Sequence, residues 1–121
     1  MSQSTWQKVC SKSDLVPGGG VCVLLGQQQV ALFFETTNQQ VYAVSNLDPI
    51  QQVESVSRGL MGGLADQVYV ATPLLKHRYE LATGQSLDGA EQYLCCWPAR
   101  ILHHSVEVLS EPIPVTEVNH E

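Results

Sequence analysis

Residues 68–84 read VYVATPLLKHRYELATG and contain two apolar segments separated by a proline loop. The first four residues are strand formers, and Pro73 ends this strand because proline cannot donate a backbone hydrogen bond to a sheet. Strand-like alternation resumes at Arg78–Leu81 and stops at a glycine turn at Gly84. The stretch therefore predicts two short strands that enclose a loop.

A second proline loop follows an earlier predicted strand. Residues 40–45, QVYAVS, carry apolar or aromatic side chains at both odd and even positions. Because successive side chains of a strand point to opposite faces, this pattern predicts a strand buried on both faces. The strand runs directly into residues 46–50, NLDPI, where a proline again marks its end.

The two loops resemble the two cluster-binding boxes of Rieske [2Fe–2S] domains. That family has Asn-x-Cys-Pro-His in the first box, and Cys-Pro-Trp-His-Gly in the second, followed by Phe-Asp-Leu and Thr-Gly. This chain keeps the asparagine, both prolines, the aromatic-acidic-leucine triplet and the Thr-Gly turn, as Asn46, Pro49, Pro73, residues 79–81 and residues 83–84. The resemblance implies an all-β fold, a Rieske-like antiparallel sandwich or barrel with a small tip subdomain that the loops form.

All four cluster ligands are replaced in this chain. Asp48 and Thr72 stand at the two cysteine positions, and Ile50 and Leu75 stand at the two histidine positions. A Rieske cluster needs two thiolates and two imidazoles. Isoleucine and leucine have no lone pair to donate, and a carboxylate and a hydroxyl are poor ligands for a sulfide-bridged iron. The substitutions therefore predict a cluster scaffold in which this chain binds no cofactor and no metal.

The ordered set of motifs resembles a narrower family, the small subunit of bacterial assimilatory NADH-dependent nitrite reductase. The motifs run from Trp6 to Leu109 and include VALFF, VYAVSNLDP, SRGLMG and WPARI. The resemblance implies an accessory subunit of the cytoplasmic enzyme that reduces nitrite to ammonium. It also implies a large-subunit partner that carries FAD, an iron–sulfur cluster and sirohaem. In that setting the chain acts by packing rather than by relaying electrons.

Two other classes of function stay open. A Rieske-type [2Fe–2S] ferredoxin would carry electrons, and an independent binding module would serve another oxidoreductase. No catalytic residues are expected in this chain alone, because the sequence has no HExxH motif and no paired carboxylates. The serine next to His104 has no orienting acid at a recognisable position.

The composition of the chain limits the number of domains, the classes of partner and the cellular location that we expect. The chain has 121 residues, which suits one domain, and we expect it over residues 1–110 with a flexible tail over 111–121. Twelve acidic against six basic residues give a net charge of −6, which argues against a nucleic-acid partner. No apolar run is long enough for a membrane span, and the N-terminal segment has no apolar signal core. We therefore expect a cytoplasmic protein.

The remaining segments follow the same alternation. A short helix is predicted over residues 51–58, because Val53 and Val56 share a three-residue spacing. Glycines 59, 62 and 63, in the connector between the two loops, are expected to end this helix. The predicted strands are residues 6–10, 21–25, 29–35, 40–45, 68–71, 78–81, 92–97, 100–103 and 106–109.

Several motifs suggest chemistry but have simpler explanations. The glycine run after Pro17 lacks a phosphate-binding fingerprint and is predicted to be a turn. Cys95 and Cys96 point to opposite faces of a predicted strand, so core packing is favoured over a shared metal. Residues 103–104, two histidines, are expected at an edge or turn. His77 is expected to be an exposed loop residue, because one histidine cannot hold a cluster.

Basic residues lie around the second loop. Arg58, Lys76 and Arg78 are half of the basic residues in the chain. In cluster-bearing relatives the tip docks the redox partner, so the resemblance implies that Asp48, Arg58 and Lys76 contribute polar docking contacts. An ordinary solvated loop is the alternative, and the sequence does not separate the two.

Overall fold

The computed structural model describes residues 4–64 and 66–114, and within these residues the chain forms ten strands and two single turns of 3₁₀ helix. The strands are β1 (Trp6–Ser11), β2 (Gly20–Leu25), β3 (Gln28–Glu35), β4 (Gln40–Ser45), β5 (Leu60–Leu64), β6 (Gln67–Ala71), β7 (Arg78–Glu80), β8 (Cys96–Trp97), β9 (Ala99–Leu102) and β10 (Ser105–Leu109).

The strands form three antiparallel sheets. The outer sheet has the order β1-β10-β9, the central sheet β2-β3-β4-β8 and the tip sheet β5-β6-β7. Every pairing between these strands is antiparallel. The predicted all-β class is therefore confirmed, and the two proline loops belong to different sheets, the first after β4 and the second between β6 and β7.

The central sheet is covered on both faces. One face of β3 and β4 packs against the outer sheet, and this first core cluster includes Leu32, Phe34 and Val106. The opposite face packs against the tip sheet, where Phe33 and Tyr79 belong to a second cluster. Because β3 and β4 contribute alternate side chains to two cores, they contain few polar positions. The predicted two-sided burial of β4 is confirmed.

Strand β5 was missed in the sequence because it contains two glycines. Gly62 pairs with Tyr69 of β6, and a β-carbon at Gly62 would lie 2.7 Å from the hydroxyl oxygen of Tyr69. The glycine leaves room for the aromatic ring across the strand pair, which compensates for its low strand propensity. Gly62 therefore marks close packing inside a strand rather than a break between elements.

The helix predicted over residues 51–58 is wrong. Val56–Arg58 forms only a single 3₁₀ turn, and among the described residues no α-helix occurs. The Asp48 carboxylate accepts hydrogen bonds from the Ile50 and Gln51 N–H groups, which favours a turn over a helix. Gln52 then adopts a φ of 58°, a left-handed conformation that a right-handed helix does not accommodate.

The strand predicted over residues 92–97 is also shorter than expected. Only Cys96–Trp97 pairs with β4 as a strand, because the preceding segment crosses from the tip sheet to the central sheet. Leu94 donates its N–H to Gly84 and Cys95 accepts from Ser45. Cys95 packs against the first core cluster and Cys96 lies in the second. The prediction that neighbouring cysteines serve opposite faces is confirmed.

The four cysteines are free thiols, and Cys22 is exposed. His103 and His104 form the two-residue turn between β9 and β10 with positive φ values, as predicted. At the start of the predicted tail, Ile113 donates its N–H to the Cys96 carbonyl, whereas residues 115–121 lie outside the described part. In the described part no helix is long and apolar enough to cross a membrane.

Candidate functional site

The first loop is built around the buried side chain of Asp48. Its Oδ1 atom accepts the Ile50 N–H at 2.9 Å and the Gln51 N–H at 3.1 Å. Its own N–H donates to the Val53 carbonyl, and its carbonyl accepts from Gln52, so the loop closes on itself. Asp48 is 4% exposed. The carboxylate therefore organises the loop from the inside and is not presented to solvent.

Asn46 connects this loop to its surroundings. Its amide nitrogen donates to the Gln29 side chain of β3 at 2.9 Å, and its amide oxygen accepts the Ser57 N–H at 2.7 Å. Its backbone carbonyl accepts from Ser55 and Val56. One asparagine thus holds the two ends of the loop together, which gives a physical reason for this residue at the head of the box.

The second loop is closed by Thr72. The Thr72 hydroxyl oxygen accepts the His77 N–H at 3.1 Å, and the backbones of the two residues are also paired, Thr72 N–H to His77 carbonyl, at 2.9 Å. Lys76 donates its N–H to the Thr72 carbonyl and has a φ of 55°. Thr72 is 1% exposed, so the hydroxyl, like the Asp48 carboxylate, binds backbone inside the tip.

His77 is held in place by Ser86. The Ser86 hydroxyl oxygen accepts the N–H groups of Asp88 and Ala90, both at 3.1 Å. The same hydroxyl is hydrogen-bonded to the His77 Nε2 atom, 2.8 Å away. His77 is half-buried, which corrects the expectation of an exposed loop residue.

Tyr79 lies beneath the two loops. Its side chain is completely buried, and its hydroxyl has no hydrogen-bond partner among the described residues. Burial raises the pKa of Tyr79 to about 12, and the negative charges of Asp48 and Asp88 act in the same direction. Val56, at the end of the first loop, belongs to the same core cluster as Tyr79, so the first loop lies next to the strand that follows the second loop. The His77 ring also packs against the Tyr79 ring, and the two ring centroids are 5.1 Å apart.

Arg78 connects strand β7 of the tip sheet to Asp88, in the segment that follows the strand. Its guanidinium and Asp88 form an ion pair at 2.7 Å, and its N–H donates to the same carboxylate at 2.8 Å. The hydrogen bonds from Arg78 lower the pKa of Asp88 to about 2. The roles of Ser86 and Asp88 were not predicted from the sequence, although the turn-forming Ser-x-Asp-Gly pattern of residues 86–89 was a signal for them.

The residues at the four ligand positions do not fit a Rieske cluster. Asp48 and Thr72 accept backbone N–H groups, whereas Ile50 and Leu75 present exposed hydrocarbon with no donor atom. Among the described residues no three His, Cys, Asp or Glu side chains are grouped to hold a metal ion. What is kept is the cradle: backbone N–H groups directed at both cysteine positions, which are the groups that stabilise thiolates in iron–sulfur proteins.

The three proposed docking residues differ in their exposure. Lys76 and Arg58 are exposed, whereas the Asp48 carboxylate is buried and engaged within its own loop. Arg58 precedes Gly59, where an added β-carbon would overlap the carbonyl oxygen of Ala71 at the end of β6. This contact brings the Arg58 backbone next to the strand that enters the second loop. Of the three, only the two cations are available for polar contacts with a partner.

Comparison with known proteins agrees with this geometry. The sequence model of the Rieske-like [2Fe-2S] domain matches residues 5–109. The nitrite reductase (NADH) small subunit of Salmonella typhimurium is 38% identical over 98 residues, which cover 81% of this chain and 91% of that protein. The chain belongs to this Rieske-like family of small subunits.

Two further comparisons extend the family assignment. One is a crystal structure described as a putative NADH-dependent nitrite reductase small subunit from Mycobacterium tuberculosis, which has a TM-score of 0.84 and 32% sequence identity to this chain. The superposed region covers 93% of this chain and 100% of the Mycobacterium tuberculosis chain. The nitrite reductase [NAD(P)H] large subunit of Klebsiella oxytoca is 36% identical over 103 residues, which are 85% of this chain but 11% of that protein. A segment of that large subunit is therefore similar to most of this chain.

Proposed function

We propose that this chain is the accessory small subunit of an NADH-dependent nitrite reductase, which reduces nitrite to ammonium, and that it works without a cluster. One observation carries the proposal. Both cluster loops keep their backbone hydrogen bonds, while Ile50 and Leu75 remove any protein ligand for the second iron. Electron transfer through this chain would need a cofactor that its side chains cannot hold.

The partner in this proposal is the large subunit, which by family resemblance carries FAD, an iron–sulfur cluster and sirohaem. The Klebsiella oxytoca large subunit supports this partner, because a domain that is covalently joined in one organism commonly associates as a separate chain in another. The small subunit then stabilises or orients the catalytic subunit by packing against it. The cytoplasmic location of the assembly stays a prediction.

The test uses the whole chain, purified alone and co-expressed with the large subunit of the same organism. We expect a colourless, iron-free folded protein that co-purifies with the large subunit. We also expect NADH-dependent nitrite reduction to fall when the chain is withdrawn and to recover when it is added back. Stoichiometric iron with acid-labile sulfide would instead identify a ferredoxin. Enrichment of a different partner without the sirohaem subunit would identify an independent binding module.

A further inference from the structure

Exposed apolar side chains are concentrated in the two tip loops. Eleven large apolar side chains are exposed in the described part of the chain, and four of them are Ile50, Val53, Leu74 and Leu75. These four lie within residues 48–53 and 72–77, a small part of the described chain. Leu74 is 77% exposed, the highest value among the eleven. Scattered exposed leucines need no explanation, but such a concentration is typical of a contact surface.

Three polar side chains of the same loops are bound inside the tip. The Asp48 carboxylate, the Thr72 hydroxyl and the His77 imidazole each have a partner within the tip. Backbone hydrogen bonds also close both loops, so the apolar side chains stand on ordered supports. A surface of this kind loses little conformational freedom when it binds, which favours association.

The two loops emerge side by side. Val56, at the end of the first loop, packs in the same cluster as Val70 and Tyr79, which flank the second loop. Exposed Lys76 stands beside Leu74 and Leu75 in a chain whose net charge is −6. The tip is therefore an apolar surface with a basic edge on an otherwise acidic molecule, and it complements an apolar surface that carries a carboxylate.

We propose that Ile50, Leu74 and Leu75, edged by Lys76, form the surface through which this chain docks onto the nitrite reductase large subunit. The inference rests on the proposed function for the identity of the partner. It replaces the polar docking contact expected at Asp48 with an apolar one. Ile50 and Leu75, which stand at two iron-ligand positions of Rieske domains, would then be contact residues. Isoleucine and leucine cannot bind metal, but their burial against a partner stabilises a complex.

The test measures binding of full-length variants to the purified large subunit, for example by isothermal titration calorimetry. We expect Leu74→Asp and Leu75→Asp to raise the dissociation constant at least tenfold. Leu102→Asp is the matched control, because Leu102 is 42% exposed on β9 of the outer sheet, away from the tip sheet; it should change binding less than twofold. Lys76→Glu should weaken binding several-fold at low salt and less at high salt.

Folding of each variant is checked by its backbone amide NMR spectrum, so that lost binding is not confused with unfolding. If the wild-type chain binds while both tip variants bind equally well, the docking surface is refuted and the proposed function stands. A control variant that loses binding as strongly as the tip variants would also refute it. Failure of the wild-type chain to bind the large subunit overturns the proposed function and this inference together.

Discussion

Tyr79 carries a hydroxyl at a buried position where a phenylalanine ring would fill the same space. Its ring fills the core under the tip, yet its hydroxyl has no partner among the described residues. A buried polar group without a partner costs about 1–3 kcal/mol. The Rieske motif that this segment resembles has phenylalanine at this position, which agrees with an apolar requirement.

Tyr79→Phe should therefore leave the free energy of unfolding at pH 7 unchanged or raise it by up to about 1 kcal/mol. The difference in the free energy of unfolding between Tyr79→Phe and wild type should increase at alkaline pH. Because the pKa of the folded phenol is raised to about 12, above its value near 10 in the unfolded chain, the unfolded state loses the proton first and wild-type stability falls as pH rises from 10 to 12. At pH 11 the gap should widen by about 1 kcal/mol, measured by urea denaturation.

Tyr93→Phe, which removes an exposed phenol, is the control for that experiment. A loss of more than about 1 kcal/mol for Tyr79→Phe at pH 7 would contradict the account, since it would mean that the hydroxyl has a strong partner in solution.

Among the elements, the turn after β7 depends on the absence of a side chain at Gly84. Its φ is 81°, and an added β-carbon would overlap the carbonyl oxygen of Leu94 and approach the sulfur of Cys96 at 3.1 Å. Gly84 also donates to Glu80 and accepts from Leu94, so the turn fixes how the next segment crosses to the central sheet. The Thr-Gly of the motif is thus a packing requirement as well as a turn.

We expect Gly84→Ala to lower the free energy of unfolding by about 3 kcal/mol or more, from backbone strain plus collision. Gly89→Ala separates the two causes, because Gly89 has a φ of 84° but no atom near an added β-carbon. It should cost only about 1 kcal/mol. Thermal or urea unfolding of both variants measures the difference, and equal losses would contradict the collision.

The segment that follows this turn is attached to β7 by Arg78 and Asp88. Asp88→Asn should lower the free energy of unfolding at neutral pH by about 1 kcal/mol, because the ion pair is partly exposed. The pKa of Asp88 is lowered to about 2 in the folded chain by its hydrogen bonds to Arg78. Its contribution is therefore present above pH 4 and is lost as pH falls toward 2.

The stability gap between wild type and Asp88→Asn should consequently narrow as pH falls below 4 and close only below the folded pKa of about 2, as measured by urea denaturation across this range. Glu91→Gln, which removes a nearby exposed carboxylate, is the control. A gap between wild type and Asp88→Asn that stays constant from pH 7 to pH 2.5 would argue against the ion pair.

The molecule as a whole keeps the frame of a metalloprotein. Three sheets bury two cores, and the loops at the tip direct backbone N–H groups at Asp48 and Thr72, which the resemblance places at the two cysteine positions. The side chains at the four positions that the resemblance assigns to cluster ligands therefore differ from those ligands in chemistry, while the loops that carry them are closed by their own hydrogen bonds.

This frame predicts that the ligands can be restored. The chain with Asp48→Cys, Ile50→His, Thr72→Cys and Leu75→His should take up about two irons and two sulfides when reconstituted anaerobically. Iron and sulfide analysis and electron paramagnetic resonance of the reduced protein measure the outcome. The variant with the two cysteines alone is the control and should not give a Rieske spectrum. A folded quadruple variant that binds no iron would show that the loops have lost cluster geometry.

Much of this architecture follows from local patterns. The strand alternation, the two prolines and Thr-Gly predict most of the strands, the two-sided burial of β4 and the place of both loops. The lack of donor atoms at Ile50 and Leu75 is chemistry that residue type alone settles. These features are readable because they depend on neighbours along the chain, where the strand period of two assigns each side chain to a face.

Other features are determined by contacts between segments that are distant in the sequence. Asp48 was expected at the surface but caps its own loop, His77 is bound by Ser86, Tyr79 is buried without a partner, and a glycine-rich segment pairs as β5. Each depends on which residue lies across a sheet or beneath a loop. Those neighbours are set by packing between segments far apart in sequence, and no local periodicity encodes them.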